Sequence, residues 1–240
     1  MLISVNFSRK FEHLEKVFPT NVRLPVRYYG QKFLRALEPE MELLNTLVSR
    51  NKIAIDIGAN KGVYAYALSK RAQLVYGFEP INELCSYINS YGSKKIIMHN
   101  SALGSEPGNL RLHIPRVKGR LVTTRASLIY NTDDCEIRNI SVSTLDDYKL
   151  KKIGFIKIDV EGVELSVLKG ATNTLLESMP NILIEVNWHQ HSASSFMEVF
   201  KFLYSLGYHS YVYSDGTLKS CLGNELAFGP NYYNYIFTSP

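Results

Sequence analysis

Cysteine is scarce in this sequence, and no Cys-x-x-Cys pair occurs. The three cysteines, Cys85, Cys135 and Cys221, are widely separated along the chain. Small secreted domains that cannot build a large core depend on dense disulfide frameworks, which this spacing does not provide. We therefore expect a reducing, cytoplasmic location, with the cysteines as ordinary core or surface residues.

Long apolar runs are also missing, because no window approaches the roughly 18 apolar residues that a membrane-spanning helix requires. The first ten residues lack a basic segment followed by a long apolar stretch, so we expect no secretory signal there. Charge is not concentrated in a run, and a net charge of +5 is typical of a solvated surface. The 240 residues fit one α/β domain with extensions, or at most two small domains.

A strand, a glycine-rich turn and the start of a helix occupy the stretch from Ile53 to Val63. Residues 53–57 form a short, β-branched apolar run typical of a buried strand. Gly58 and Gly62 carry no Cβ and let the backbone approach a ligand, and the helix start offers unpaired N–H groups. Asp56 would repel a phosphate here. It suits a ligand with an ammonium group and sugar hydroxyls, which favours S-adenosylmethionine (SAM) over NAD.

The spacing of this loop supports the same ligand. A dinucleotide fingerprint has the pattern Gly-x-Gly-x-x-Gly, whereas this loop is Asp56-x-Gly58-x-x-x-Gly62. The next apolar run ends at Glu79, and an acid at the end of the second strand commonly holds ribose hydroxyls. A plain glycine turn after a strand is the alternative. We interpret the combination of loop and acid as a nucleoside-cofactor site.

Strands and helices alternate along most of the chain, which predicts a parallel, doubly wound sheet with right-handed crossovers. The last two of seven predicted strands are close enough in sequence to be antiparallel. The strands after the first are predicted at residues 74–78, 95–98, 154–159, 181–186, 208–213 and 232–238. The alternation breaks between residues 104 and 148, where residues 110–114 and 137–142 alternate like exposed strands. So long an excursion is typical of a binding surface or lid, with disorder as the alternative.

Residues 1–38 combine basic and aromatic side chains. Contact with nucleic acid or an anionic glycan is one interpretation, because aromatics stack and cations pair with phosphate. A helical extension that covers the edge of the sheet explains the same residues. Apolar spacing from Glu40 to Val48 predicts a further helix.

Short motifs occur in a fixed order from residue 56 onward. They are Asp56-Ile-Gly-Ala-Asn-Lys-Gly62, Phe78-Glu-Pro80, Asn100-Ser-Ala-Leu-Gly104, Ser143-Thr-Leu-Asp-Asp147, Ile156-Lys-Ile-Asp-Val-Glu-Gly-Val-Glu164, Leu168-Lys-Gly170 and Ile184-Glu185. From about residue 40 to its end, the chain thus resembles the FkbM family of SAM-dependent methyltransferases.

The resemblance implies a Rossmann-like class I methyltransferase fold, with seven strands in the order 3-2-1-4-5-7-6 and the last strand antiparallel. It implies O-methylation of a hydroxyl on a sugar, a glycan or a small natural-product metabolite. We divide the chain into an N-terminal extension, residues 1–38, and a methyltransferase domain, residues 39–240. Within that domain, residues 105–147 are an acceptor-side insertion. Residues 1–38 and 116–134 match no motif, so the identity of the acceptor stays open.

Ligands of an open α/β sheet lie beyond the carboxyl ends of its strands. Polar residues stand at the carboxyl ends of five of the predicted strands, which indicates one shared cleft: Asp56, Glu79, Asn100, Asp159 and Glu185. We assign the cofactor to the glycine loop and to the ends of the second and third strands, namely Asp56, Gly58, Ala59, Asn60, Gly62, Glu79, Pro80, Asn100, Ser101 and Ala102. The acceptor-side candidates are Asp159, Glu161, Glu185 and His189.

Each acceptor-side candidate has a structural alternative. Asp159 can cap the next helix, Glu161 can favour its N-terminus by charge, and His189 can be an exposed loop residue. In the catalytic interpretation, His189 is the base that takes the proton of the acceptor hydroxyl, with Glu185 orienting or supplementing it. The same carboxylates could instead hold Mg²⁺, which prefers oxygen ligands. We favour the metal-independent route.

A small-molecule or glycan O-methyltransferase is the leading interpretation. We expect the insertion to shape the acceptor pocket and to attract a polar or anionic acceptor with Arg116, Lys118, Arg120 and Arg125. An RNA or DNA methyltransferase is the second interpretation, favoured by the net charge and the basic N-terminal third, although no Asn-Pro-Pro-Tyr-like motif follows the fourth strand. The third is a non-catalytic protein that binds SAM.

Overall fold

A mixed sheet forms the centre of this computed structural model, which describes residues 15, 17–117, 119–123, 126, 134–188, 193–222 and 232–239. Within those residues one sheet has eight strands and a second has four. In chain order the strands are β1 (Ile53–Ile57), β2 (Leu74–Phe78), β3 (Ile96–His99), β4 (Ala102–Leu103), β5 (Gly108–Val117), β6 (Arg120–Leu121), β7 (Cys135–Ser143), β8 (Ile153–Ile158), β9 (Asn181–Glu185), β10 (His209–Ser214), β11 (Thr217–Ser220) and β12 (Asn234–Thr238).

The large sheet has the strand order β11-β10-β12-β9-β8-β1-β2-β3. Strands β3, β2, β1, β8 and β9 are parallel, and β12 runs antiparallel between β9 and β10. The predicted α/β class is confirmed, and the order of seven of these strands is the expected 3-2-1-4-5-7-6. The predicted count is wrong, because in the described part of the chain β11 adds an edge strand to β10. All of β11 is exposed, so no apolar pattern marks it as a strand.

Helices cover both faces of the large sheet. They are α1 (Thr20–Phe33), α2 (Leu44–Leu47), α3 (Val63–Ser69), α4 (Asn82–Asn89), α5 (Glu164–Lys169), α6 (Thr172–Ser178) and α7 (Ala193–Ser205), with 3-10 turns at Pro39–Leu43 and Asp146–Tyr148. The helix expected over residues 40–48 is therefore a 3-10 turn followed by one short α-helix. In the described ranges, no helix combines the length and the hydropathy needed to cross a bilayer.

The two faces follow from the alternation of side chains along the strands. Ile55 and Ile156 pack on one face with α5, α6 and α7, whereas Ala54 and Phe155 pack on the other with α1, α2 and α3. Asp56 of β1 is paired with Lys157 of β8 in the strand register, close to the carboxyl ends of both strands.

Helix α1 packs mainly on α3, through residues such as Leu24 and Tyr28, rather than along an edge strand. A helix in this extension was expected, but its predicted position at the sheet edge is wrong, because its apolar side chains are buried on the face. Its Arg27 is buried in an ion pair with Glu15. One of the basic residues that favoured nucleic-acid binding is thus an internal residue.

Strands β5 and β7 form a long antiparallel pair in the second sheet, where the sequence alternation predicts two strands. Leu112, Ile114 and Ile140 turn inward and pack against Ile81 and Leu84 beside helix α4. The opposite face of this pair is solvent-exposed at Ile137, and Leu110, which shares a face with Leu112, is also exposed. The excursion from the main fold is therefore anchored next to the end of β2, where the candidate site lies.

Candidate active site

The turn after β1 adopts left-handed backbone at three positions, with φ of +79° at Gly58, +48° at Asn60 and +74° at Gly62. The N–H groups of Gly58 and Ala59 both donate to the carbonyl oxygen of Phe78, at 2.9 and 3.1 Å. These bonds attach the turn to the end of β2. A Cβ at Gly58 would overlap the carbonyl oxygen of Asp159. Gly58 is required by the packing of two strand ends, and not only by the room that a ligand needs.

Glu79 connects this turn to the second strand. Its Oε2 accepts a hydrogen bond from the backbone N–H of Asn60 at 2.8 Å, and its Oε1 accepts one from the N–H of Ile81 at 2.9 Å. Burial raises the pKa of Glu79 to about 7, against the lowering effect of the two N–H donors, and the nearby Asp159 adds to the increase. A carboxylate has about four lone-pair sites, so capacity for ligand hydroxyls remains.

The loop after β3 braces the site. The side-chain amide of Asn100 donates to the carbonyl oxygens of Glu79 and Pro80, both at 3.0 Å. The buried Ser101 hydroxyl bonds to backbone carbonyls, at 2.9 Å to Ala102 and 3.1 Å to Ser141. Of the three predicted cofactor residues in this loop, only Ala102 lines the cleft.

A cleft opens at the carboxyl ends of the central strands and has two lobes. Gly58, Asn60 and Asp159 line both of them. The insertion-side lobe contains about 830 Å³ of empty space, partly open to solvent, and is lined by Ile57, Phe78, Glu79, Pro80, Ile81, Ala102, Leu103, Leu112, Thr123, Ala126, Ile140, Val160, Glu161, Val163 and Glu185. The polar lobe, under helix α1, contains about 840 Å³ and is lined by Arg27, Gln31, Ala36, Leu37, Glu38, Met41, Asp56, Ala59, Lys61, Val63, Tyr64 and Lys157.

Two buried acceptor atoms in the polar lobe have no hydrogen-bond partner among the described residues: Oδ2 of Asp56 and Oδ1 of Asn60. An unpaired buried acceptor is costly, which indicates that a ligand completes this wall. Burial raises the pKa of Asp56 to about 7, although the charge of Lys157 opposes the increase. These acceptor oxygens suit a cationic ligand, because a positive charge favours the ionised carboxylate of Asp56.

The acceptor-side carboxylates lie at the ends of β8 and β9. Asp159 is one-third exposed, with 33% of its side-chain area accessible, and burial raises its pKa. Burial and the neighbouring Asp159 raise the pKa of Glu185 to about 8. Both line the insertion-side lobe together with Glu161, whose backbone has a φ of +52°. These three predicted residues are thus brought together in one wall.

The capping alternative for Asp159 is excluded. Helix α5 begins only at Glu164, and its N-cap residue, Val163, makes no side-chain capping bond. The carboxylate nearest this helix start is Glu164, whose Oε1 accepts a hydrogen bond from the N–H of Gly162 at 2.7 Å. Asp159 is therefore left to face the cleft.

His189, the predicted base, lies outside the described residues, as do Lys118 and Arg125 of the insertion. Arg116 pairs with Glu136 and does not line either lobe. Across the described ranges, no group of three or more histidine, cysteine or acidic side chains is placed to hold a metal ion.

Lys157 and Glu38 are site residues that the sequence analysis missed. Lys157 is fully buried, with Nζ 3.9 Å from Oδ2 of Asp159 and 5.1 Å from the centre of the Tyr64 ring. Burial by itself lowers its pKa, but the surrounding carboxylates, first among them Asp159, leave the pKa above its usual value. A lysine between two isoleucines in a strand buried on both faces could have indicated a charged site from the sequence, since a buried ammonium needs anionic partners.

Glu38 enters the site from the segment before β1. Its Oε2 accepts hydrogen bonds from the hydroxyl of Tyr64 at 2.6 Å and from the side-chain amide of Asn234 at 3.2 Å. This carboxylate joins the N-terminal segment, helix α3 and the last strand. No local pattern marks it, because its partners lie far away along the chain.

Comparisons with known proteins return methyltransferases. The sequence model of the methyltransferase FkbM domain matches residues 56–210. The hexuronic acid methyltransferase AglP of Haloferax volcanii is 26% identical over 164 residues, covering 64% of this chain and 65% of that protein. A crystal structure of Methyltransferase FkbM from Methylobacillus flagellatus has a TM-score of 0.55 and 17% identity, covering 98% of this chain and 59% of its own. This chain thus spans under two thirds of the length of both proteins, and the structural likeness shows the fold.

Proposed function

The chain belongs to the FkbM methyltransferase domain family, and on that premise we propose that it methylates a hydroxyl of a sugar, a glycan or a small natural-product metabolite, with SAM as methyl donor. When bound, SAM supplies an electrophilic methyl group on a sulfonium. The observation that carries the proposal is the pair of unpartnered buried acceptors on Asp56 and Asn60, beside the Glu79 carboxylate. These groups match a ligand with a positive charge, an amine and vicinal hydroxyls.

The two lobes suit the two ends of this cofactor. In the polar lobe, Oδ2 of Asp56 and Oδ1 of Asn60 would accept hydrogen bonds from its ammonium group. In the insertion-side lobe, Glu79 would accept hydrogen bonds from the ribose hydroxyls, and Pro80, Ile81 and Ala102 offer apolar surface to a flat base. Asn100 and Ser101 contribute indirectly, since they hold the backbone that carries these residues.

The acceptor hydroxyl would meet the wall formed by Asp159, Glu161 and Glu185. An alcohol is too weak an acid to ionise at neutral pH, so a base must take its proton. Glu185 is suited to that task because its pKa of about 8 lies near neutral pH. His189 stays a prediction for the same role. The route needs no metal, in keeping with the sequence interpretation.

A sugar-type acceptor is supported by the curated relative, which is named for methylation of hexuronic acid. Thr123 and Ala126 of the insertion line the insertion-side lobe together with the acceptor-side carboxylates, so residues 105–147 reach the site where an acceptor would bind. We retain the division into residues 1–38 and 39–240, with this insertion on the acceptor side, as part of the proposal.

Calorimetry with SAM, its demethylated product S-adenosylhomocysteine (SAH) and NAD tests the cofactor. We expect SAM and SAH to bind and NAD not to bind, and an Asp56→Asn variant to bind SAH more weakly. Transfer of labelled methyl from SAM to a hexuronic acid, a neutral methyl hexoside, a polyphenol and RNA tests the acceptor. Binding of NAD without any response to SAM would overturn the cofactor assignment, and methylation of RNA alone would overturn the acceptor class.

A further inference from the structure

Lys157 is buried beneath the acceptor-side carboxylates, with only 1% of its side-chain area accessible. Its ammonium group makes one long hydrogen bond, of 3.5 Å, to the carbonyl oxygen of Ile158, and lies over the ring of Tyr64. Removing an ammonium from water is costly unless opposite charges surround it. The position of Lys157 therefore depends on its carboxylate neighbours, and theirs depends on it.

Carboxyl groups from four segments of the chain interact electrostatically with Lys157. Asp159 follows it on its own strand, and the other groups come from β1, the end of β9 and the segment before β1, namely Asp56, Glu185 and Glu38. Helix α3 contributes the ring of Tyr64, whose hydroxyl donates to Glu38. Four carboxyl groups thus share one ammonium, and their ionisation is interdependent.

We propose that Lys157 is a positioning residue for methyl transfer: its ammonium favours the ionised forms of Asp159 and Glu185, so that one of them accepts the proton of the acceptor hydroxyl. The proposal rests on the methyltransferase function proposed above. In the proton transfer the O–H bond of the acceptor breaks and the proton passes to a carboxylate oxygen. Lys157 keeps its own proton throughout, and its charge stabilises the carboxylate before transfer.

The charges of Lys157 and Glu38 predict the direction in which each would shift the pKa of the neighbouring carboxyls. Burial raises the pKa of both Asp159 and Glu185, and the charge of Lys157 acts in the opposite direction on both. Glu38 raises both values, because it is a like charge. Removal of Lys157 and removal of Glu38 should therefore shift the ionisation of the same two carboxyls in opposite directions.

The test compares the pH dependence of kcat and KM in three variants. Lys157→Met removes the charge at nearly constant length, Lys157→Arg keeps the charge, and Lys151→Met makes the same change at an exposed lysine paired with Glu177. A cation within about 4–6 Å typically lowers a carboxyl pKa by about 1–3 units. We expect Lys157→Met to move the acid limb of the kcat profile upward by about 1–3 pH units, with activity recovered at high pH. Lys157→Arg should restore the wild-type limb, and Lys151→Met should not move it.

Glu38→Gln gives the second test, which holds even where Lys157→Met does not fold. It leaves Lys157 in place and should move the same acid limb to lower pH. A purely structural role would reduce kcat equally at every pH, and an unshifted limb in either folded variant would overturn the proposal. SAH calorimetry on the wild-type protein distinguishes a failure of the proposed methyltransferase function from a failure of the role proposed for Lys157. Absence of both SAH binding and turnover contradicts the proposed function, whereas normal wild-type activity with unshifted variants contradicts only the role of Lys157.

Discussion

Gly58 offers a sharp test of how the glycine turn holds the site together. Its backbone has a φ of +79°, and a Cβ built on it would overlap the carbonyl oxygen of Asp159. Gly92 provides a matched control, because its φ is +70° and a Cβ there would have no heavy atom within 4 Å. Gly58→Ala and Gly92→Ala therefore impose similar backbone strain, and only Gly58→Ala adds a collision.

The expected losses of folding free energy differ between Gly58→Ala and Gly92→Ala. A residue with a Cβ in left-handed backbone costs about 1–2 kcal/mol. Forcing extra volume into packed surroundings costs about 1–3 kcal/mol more. Gly92→Ala should thus lower the free energy of unfolding by about 1–2 kcal/mol, and Gly58→Ala by about 2–5 kcal/mol. For a chain of this size, those values correspond to a fall in Tm of about 2–8 °C and about 4–20 °C, respectively.

Urea unfolding followed by circular dichroism measures the free energies, and SAH calorimetry on the same samples measures the site. Because the collision moves Asp159 against the turn, Gly58→Ala should also weaken SAH binding, whereas Gly92→Ala should leave it at the wild-type value. Equal destabilisation by the two substitutions, together with equal SAH affinity, would refute the close approach of the two strand ends.

Four further predictions concern the cofactor, the pH dependence, a metal requirement and the insertion. Glu79→Gln leaves one of its two backbone N–H donors without an acceptor and removes the charged partner of the ribose hydroxyls, so calorimetry should show SAH affinity roughly ten- to a hundredfold lower. Asp56 and Glu79 have pKa values of about 7 and Glu185 has one of about 8, against about 4 in an unfolded chain, so the folded, ligand-free protein holds extra protons. Its free energy of unfolding should therefore fall as pH rises from about 4 to 8. SAH affinity, in contrast, should rise through pH 7–8. Turnover should survive exhaustive EDTA treatment, and a loss of turnover that Mg²⁺ restores would contradict this expectation. Replacing Arg116–Asp134 by a short Gly/Ser linker should remove turnover while SAH still binds, and full activity of that variant would contradict a role of the insertion in acceptor binding.

The features predicted correctly from the sequence are those encoded locally. The glycine turn and Glu79 stand directly after apolar runs, and parallel strands necessarily bring their carboxyl ends to one edge. The alternation in the insertion likewise marks β5 and β7 correctly. For such elements, the type and position follow from the periodicity of apolar residues and from the few glycine and polar residues that end each run.

The features that escaped prediction depend on contacts between distant segments. Glu38 acquires its role only when Tyr64 and Asn234 fold against it, and no pattern in the sequence around Glu38 predicts that contact. Lys157 reads as an interruption of an apolar strand until the carboxylates around it are in place. Asn100 has a residue type suited to ligand binding, yet its amide serves the backbone of the neighbouring loop.

The bonds made by Glu38 also determine where this enzyme can be shortened. Glu38 precedes the family-matched region, residues 56–210, and its partner Asn234 follows it, so the polar lobe is closed by residues on both sides of the recognisable motif set. A fragment cut to the matched region would keep the glycine turn and Glu79 but lose one wall of the cleft. The smallest unit that can be grafted, recombined or used to compare relatives therefore extends from before Glu38 to beyond Asn234.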